Sequence, residues 1–262
     1  MLLLKLAAVP AVIWLASWAG RRWGHRASGL ISGLPVISGP ILLFVALDSP
    51  APFATEISWI TMGASPAVAM HCLAYAWLAQ RPIGGRWHAL IALLGAWCVY
   101  LAGATLLSSL LIRGPLGALI SIGLMLLAIA LMPAVRSPVS IPRIPPVEIL
   151  IRMLAALTIA TVVTLGAQAL GSRVSGILLA FPITASVLPL FTLALYGAQA
   201  TARLLTGFVT GLVGFTLYFY LFAELLMPAG VAPAALAGAL ASVAAVRLVT
   251  AVQARQARRG QR

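Results

Sequence analysis

Stretches of about twenty mainly apolar residues recur along the whole chain, and that recurrence leaves few folds open. A bilayer-crossing helix needs about 20 such residues. Candidates run near 2–20, 28–47, 57–79, 87–111, 116–133, 148–170, 174–196, 204–226 and 232–250. Of the 262 residues 62% are hydrophobic and 8% charged, against about 25% charged in a soluble domain. Seventeen Lys and Arg with four Asp and Glu cannot coat a water-facing surface of this size. A soluble enzyme, a disordered chain and a collagen-like repeat are excluded on that ground. A disulfide scaffold is excluded because Cys72 and Cys98 are the only cysteines and both lie in apolar segments. The expectation is an all-α polytopic membrane protein of about nine spans, forming one membrane domain.

The basic residues arbitrate the span count. With nine spans, fourteen of the seventeen fall on one side, from Arg21, Arg22 and Arg26 through to Arg262, and only Lys5, Arg113 and Arg173 on the other. Lys and Arg collect in cytoplasmic loops, so this distribution predicts the N-terminus outside and the C-terminus inside. Dropping the short fifth span would send the basic tail outside. The net charge of +13 is then a consequence of topology, and no nucleic-acid partner is expected. The first 20 residues resemble a signal peptide in having Lys5, an apolar stretch and small residues at 16–20. They run straight into Arg21 and Arg22, however, a stop-transfer pattern, and are read as a retained helix.

Sliding the sequence along itself by 147 residues produces an ungapped match. Gly24, Arg26, Ser28 and Gly29 lie over Gly171, Arg173, Ser175 and Gly176. Pro35 falls on Pro182, Leu43 and Phe44 on Leu190 and Phe191, and Lys5 on Arg152. The chain therefore reads as 4+1+4: repeat one at 1–111, a linking helix and Pro-rich loop at 112–147, repeat two at 148–251, and a basic tail at 252–262. One helix between two four-helix units makes the second repeat enter the membrane upside down, a construction shared by many transporters. Convergence of apolar helices of biased composition is the alternative source of such a match.

Within the repeats, spans two and seven are interrupted. Gly33, Pro35, Gly39 and Pro40 fall in the first, Pro182 and Pro189 in the second. A proline inside a helix frees a carbonyl, and in lipid such groups are tolerated only against protein or a wet cavity. Matched discontinuous segments are the best sequence pointer to a transport site. Ser32, Ser38, Thr184 and Ser186 lie beside the breaks as candidate hydroxyls for a solute. Arg26 with Ser28, and Arg173 with Ser175, stand at helix starts where backbone N–H groups and a guanidinium favour an anion. The expected partners are membrane lipids and an anionic small-molecule substrate. A packing reading stands beside this one, with Arg26 an interfacial anchor and Ser28-Gly29 a notch for a neighbouring helix. His71 lies mid-span and is either a proton-linked group or a neutral hydrogen-bonded histidine. Its repeat-two counterpart is Tyr218, which sets it outside the repeated design. No metal-binding cluster, catalytic motif or nucleotide-binding glycine pattern is present, so neither cofactor nor enzymatic activity is expected.

Ser175 to Pro182, with Phe181 before the proline and a small and hydroxyl-rich apolar run after it, resembles the signature stretch of GlpM-like proteins. The likeness extends over 148–250 as helix spacing, while repeat one has Leu34 in place of the Phe. That family comprises small bacterial inner-membrane proteins of about four helices linked to exopolysaccharide production. The resemblance implies a bacterial cytoplasmic membrane location and two such units fused in opposite orientations. Two functions follow as expectations: a secondary transporter or exporter of a small or lipid-linked anionic solute, or a non-transporting membrane subunit assisting cell-envelope polysaccharide synthesis.

Overall fold

The computed structural model describes residues 2–81, 85–110, 112–135, 145–167, 177 and 180–259, without the side chains of 2–9, 86, 108–109, 159–167 and 256–259. Among the described residues the regular elements are helices. They are α1 Leu2–Trp23, α2 His25–Gly33, α3 Ser38–Asp48, α4 Ala51–Ala79, α5 His88–Ser109, α6 Gly114–Ala130, α7 Pro146–Ala167, α8 Ile183–Ala229 and α9 Val231–Arg259, with a 3-10 turn at Gly85–Trp87.

The boundaries follow from glycine and proline. Gly24, at φ 84°, separates α1 from α2 in a conformation that only glycine adopts without strain. Leu34 precedes Pro35 and is extended, at φ −71° and ψ 159°, because the proline ring excludes the helical region for the residue before it. Ser49 does the same before Pro50 and ends α3. Within α8 the helix is broken at Gly197, at φ 78° and ψ −178°. At 47 residues α8 would measure about 70 Å if straight, and the break divides it near the expected junction of 174–196 and 204–226. Pro189, expected to interrupt its span, lies inside α8 without ending it.

Among the described residues five stretches are long and apolar enough to cross a membrane: His25–Asp48, Ala51–Ala79, His88–Leu107, Ile183–Ala229 and Val231–Arg255. Gly114–Ala130 is a shorter apolar helix. The exterior is as apolar as the elements: Leu106, Leu119, Leu236 and Leu240 are each more than 60% exposed. Ser58, Thr61, Ser65, Thr201, Thr210 and Thr216 are fully buried. Several buried hydroxyls bond back to carbonyls one turn earlier, as Ser58 does to Ala54 at 2.7 Å and Thr216 to Leu212 at 3.0 Å. Leucines facing outward and hydroxyls facing inward are the arrangement of a helical membrane protein.

α4 and α8 are the central pair, each 78% buried across its apolar window, against 17% for α9. Ser65 and Thr216 join them at 2.9 Å between hydroxyl oxygens. α2, α4, α6 and α9 all pack on α8, and α1 packs on α2 and α7. The element bounds register at the offset of the sequence match. Moved by 147 residues, α3 falls on 185–195, α4 on 198–226 and α5 on 235–256. α4 thus overlies the part of α8 that resumes after Gly197.

Candidate functional site where two interrupted segments meet

The α2–α3 break and the start of α8 are far apart in sequence and adjacent in space. The Thr184 hydroxyl donates to the Ser32 carbonyl at 3.4 Å. The Ser32 hydroxyl donates in turn to the Ser28 carbonyl at 2.8 Å. Ser186 donates to the Pro182 carbonyl at 2.7 Å and accepts from Trp97 Nε1 at 2.9 Å. Ser32, Thr184 and Ser186 from the expected hydroxyl set are therefore buried together and bonded within the protein. Ser38 begins α3. Arg173 and Ser175 lie outside the described residues.

Each break is held by a different device. α2 carries Gly29 and Gly33 four residues apart, and α8 carries Gly207 and Gly211 at the same spacing. A Cβ on Gly29 would overlap the Leu204 carbonyl, and one on Gly207 would overlap the Arg26 carbonyl. The two helices meet backbone to backbone, the close approach that small residues four apart permit in membranes. Gly29 is a packing notch, and its spacing to Gly33 was the signal in the sequence. The second break is surrounded by aromatic side chains of α4 and α5. Tyr100 donates to the Ile177 carbonyl at 2.7 Å, and its ring meets Phe181 edge-on at 5.4 Å. Trp97 lies 5.9 Å from the same phenyl ring, centroid to centroid.

His71 has a specific structural task. Its Nε2 lies 3.2 Å from the Ala185 carbonyl. That carbonyl would ordinarily accept from the residue four positions later, which is Pro189 and has no N–H. His71 thus replaces the donor that the proline removes, and α8 continues. Ser65 does the same locally, donating at 2.7 Å to the Met62 carbonyl that Pro66 leaves free. Tyr218, 147 residues after His71, donates to the Gly39 carbonyl at 3.5 Å. Both residues therefore reach from α4 or the matching part of α8 to the backbone just past a break. The chemistry differs, and the placement is common to both. Comparing side-chain types alone hid this. Beside the first break lies a groove of about 530 Å³, lined by Leu34, Pro35, Val36, Tyr218, Leu236 and Ser242 among others, with almost no polar wall.

Charge divides the molecule into two ends. Asp48 ends α3, Glu56 pairs with Arg113 at 2.7 Å, and Glu224 approaches Gly114. The opposite end carries Arg21, Arg22, Arg26, Arg81 and Arg203. There the Arg26 guanidinium donates to Gln253, and Gln253 donates to the Thr210 hydroxyl at 3.3 Å, which ties α9 to α2 and α8. Arg26 is exposed and stands away from the meeting of the breaks, six residues from Ser32 along α2.

The same end holds a buried arginine, the one that the charge count puts on the more basic side and that the 147-residue match lays over Lys5. Arg152 is 2% exposed and pairs with Glu148 one turn earlier on α7. Tyr196 donates to the other Glu148 oxygen at 3.3 Å, and the Arg152 guanidinium carbon lies 5.5 Å from the Phe191 ring centre. His25, 5% exposed, has its ring 5.2 Å from that of Tyr196. A Glu four residues before an Arg near an apolar helix start was the available signal.

No family model, no curated protein and no solved structure matches the chain.

Proposed function

We propose that the chain is a secondary transporter or exporter of an anionic solute, small or lipid-linked, in a bacterial cytoplasmic membrane. It would have nine spans, with the N-terminus outside and the basic end in the cytoplasm. Two inverted four-helix repeats would rock against each other about the α4–α8 crossing, opening the meeting place of the breaks to alternate sides. The observation that carries this reading is the Thr184–Ser32 contact, which joins interrupted segments from matched positions of the two halves. The registration of helix bounds at the 147-residue offset supports it, as do the His71 and Tyr218 bonds to backbone just past a break. The resemblance of 148–250 to GlpM-like proteins supports the cell-envelope location.

A second reading has its own support. The hydroxyls of Ser32, Thr184 and Ser186 are all engaged internally, as they would be in a static subunit of an envelope-polysaccharide assembly.

A Ser32→Cys/Thr184→Cys pair in liposome-reconstituted protein separates the two. Exchange of labelled organic acids, phosphate esters and polyprenyl phosphates is measured before and after oxidation. A transporter loses exchange when the breaks are locked together and regains it on reduction. Absence of exchange for every class, with an intact fold and co-purification of an envelope enzyme, would establish the subunit reading instead.

A further inference from the structure

The basic end contains more than a topology signal, because part of its charge is buried. Of the four acidic residues in the chain only Glu148 lies there. Glu148 is already engaged by Arg152 and by the Tyr196 hydroxyl. Arg21, Arg26 and Arg203 leave the cluster with a surplus of positive charge around a buried centre. Arg152 and Arg203 both act electrostatically on His25, and Arg21 acts on Tyr196. These residues come from α1, α2, α7 and α8 and converge on one spot.

Two side-chain nitrogens at that spot have no partner among the described residues. They are Nε2 of His25 and Nε of Arg152, on residues 95% and 98% buried. A buried polar group without a partner costs free energy comparable to a lost hydrogen bond. The His25 ring extends from the first residue of α2 toward Tyr196 on α8, within the field of Arg152 on α7. No side chain caps α2. Ala27 and Ser28 donate to the Gly24 carbonyl, which turns the chain into α2. A helix start without a side-chain cap, two unpartnered buried nitrogens and surplus positive charge converge on one location.

We infer that this pocket of charge, between the start of α2 and the Glu148–Arg152 turn of α7, is a binding site for a phosphate-type oxyanion. A carboxylate would be the poorer match. Glu148 already provides one to Arg152, and the charge around it remains in positive surplus, which suits a multiply charged tetrahedral anion. The phosphate is either free, as inorganic phosphate or a soluble ester, or carried on a lipid headgroup at the membrane surface. The inference deepens the transport reading by naming the anion class that docks at the basic mouth. It rests on that reading for the role of the site in transport, although binding itself is measurable without transport.

The test is binding by the purified full chain. Inorganic phosphate and phenyl phosphate are titrated in detergent, and nanodiscs containing phosphatidic acid are compared with nanodiscs of phosphatidylcholine alone, reading thermal stabilisation. His25→Gln and Arg203→Gln are expected to weaken binding by about tenfold to a hundredfold, the loss of a charge-assisted or buried hydrogen bond. Arg81→Gln, an exposed change at the same end, should alter it by less than about twofold, since exposed charges are screened. A response to soluble phosphate assigns the free anion, and a response only to phosphatidic acid assigns the headgroup. No response to either source overturns the site, as does equal weakening by Arg81→Gln and His25→Gln. Labelled phosphate exchange in liposomes is read separately. Binding without exchange sinks the transport reading and leaves the site standing. Exchange in a protein that binds neither phosphate source does the reverse.

Discussion

The two breaks present the same interruption held in two ways. At the first, α2 lies against α8 through Gly29, Gly33, Gly207 and Gly211, with carbonyls where side chains would be. At the second, donors on the side chains of α4 and α5 hold the segment: His71 reaches the Ala185 carbonyl, Tyr100 the Ile177 carbonyl, and Trp97 the Ser186 hydroxyl. The positions matching Gly207 and Gly211 are Ile60 and Ala64, and the position matching Trp97 is Ala244. A break therefore needs its freed carbonyls covered and its neighbour close, and either bare backbone or a polar aromatic ring meets that need. The first solution tolerates no added atom, whereas the second divides into separate bonds. Substitution should expose that asymmetry.

Gly29→Ala should have the largest effect. The new Cβ meets backbone rather than a flexible side chain, so α2 must move off α8 at a cost near the top of the overpacking range, about 3 kcal/mol. Gly123→Ala is the reference, because nothing lies within 4 Å of its Cβ position. There the helix gains propensity, about 0.5–1 kcal/mol. Thermal midpoints of the two variants in detergent make the measurement, and equal midpoints would remove the glycine contact from the account of the first break.

At the second break His71→Leu should cost about 1–3 kcal/mol, because the Ala185 carbonyl is left without its surrogate donor. His71→Gln keeps an N–H and should recover most of that. If Leu and Gln were equally damaging, His71 would matter through its shape or ionisation rather than as the partner for the carbonyl that Pro189 leaves free. Trp97→Phe should cost less, about 1 kcal/mol, because Ser186 keeps its bond to the Pro182 carbonyl. Stability of each variant is compared with its parent under one detergent condition.

The same physics explains what could be read from the sequence. Pro35 and Pro182 mark real interruptions, Pro35 standing between α2 and α3 and Pro182 just before α8. Pro189 carries the same local signal and interrupts nothing, since His71, more than a hundred residues away, covers the carbonyl it frees. A proline's effect in a membrane helix depends on a donor that the local sequence does not name. The glycine pairs were visible as spacing, yet spacing does not say that α2 and α8 are partners. Arg152 was hidden for a different reason. Counting charges by side of the membrane treats every basic residue at a helix end as solvated, and only the fold separates buried Arg152 from exposed Arg21 and Arg22. The hydroxyls beside the breaks were legible as positions in the sequence, but whether they face a solute or their own backbone is a matter of side-chain geometry.

Tyr218→Phe should have the smallest effect, and it asks most directly whether His71 and Tyr218 share a task. The Tyr218 hydroxyl reaches the Gly39 carbonyl at 3.5 Å, the outer limit of a hydrogen bond. Its ring does more: a Cβ on Gly39 would touch it at 3.3 Å, and one on Gly238 at 3.0 Å. Phe preserves the ring and removes only the long bond, so the loss should be under about 0.5 kcal/mol, below the usual value for a buried hydrogen bond. Leu at the same position should cost more, because the wall of the apolar groove then loses the ring. A Tyr218→Phe loss as large as that of His71→Leu would mean that both breaks depend on one donor each, and the glycine contact would then be a consequence of the first break's geometry rather than its support. A negligible loss leaves the asymmetry intact, with the first break resting on backbone contact and the second on hydrogen bonds.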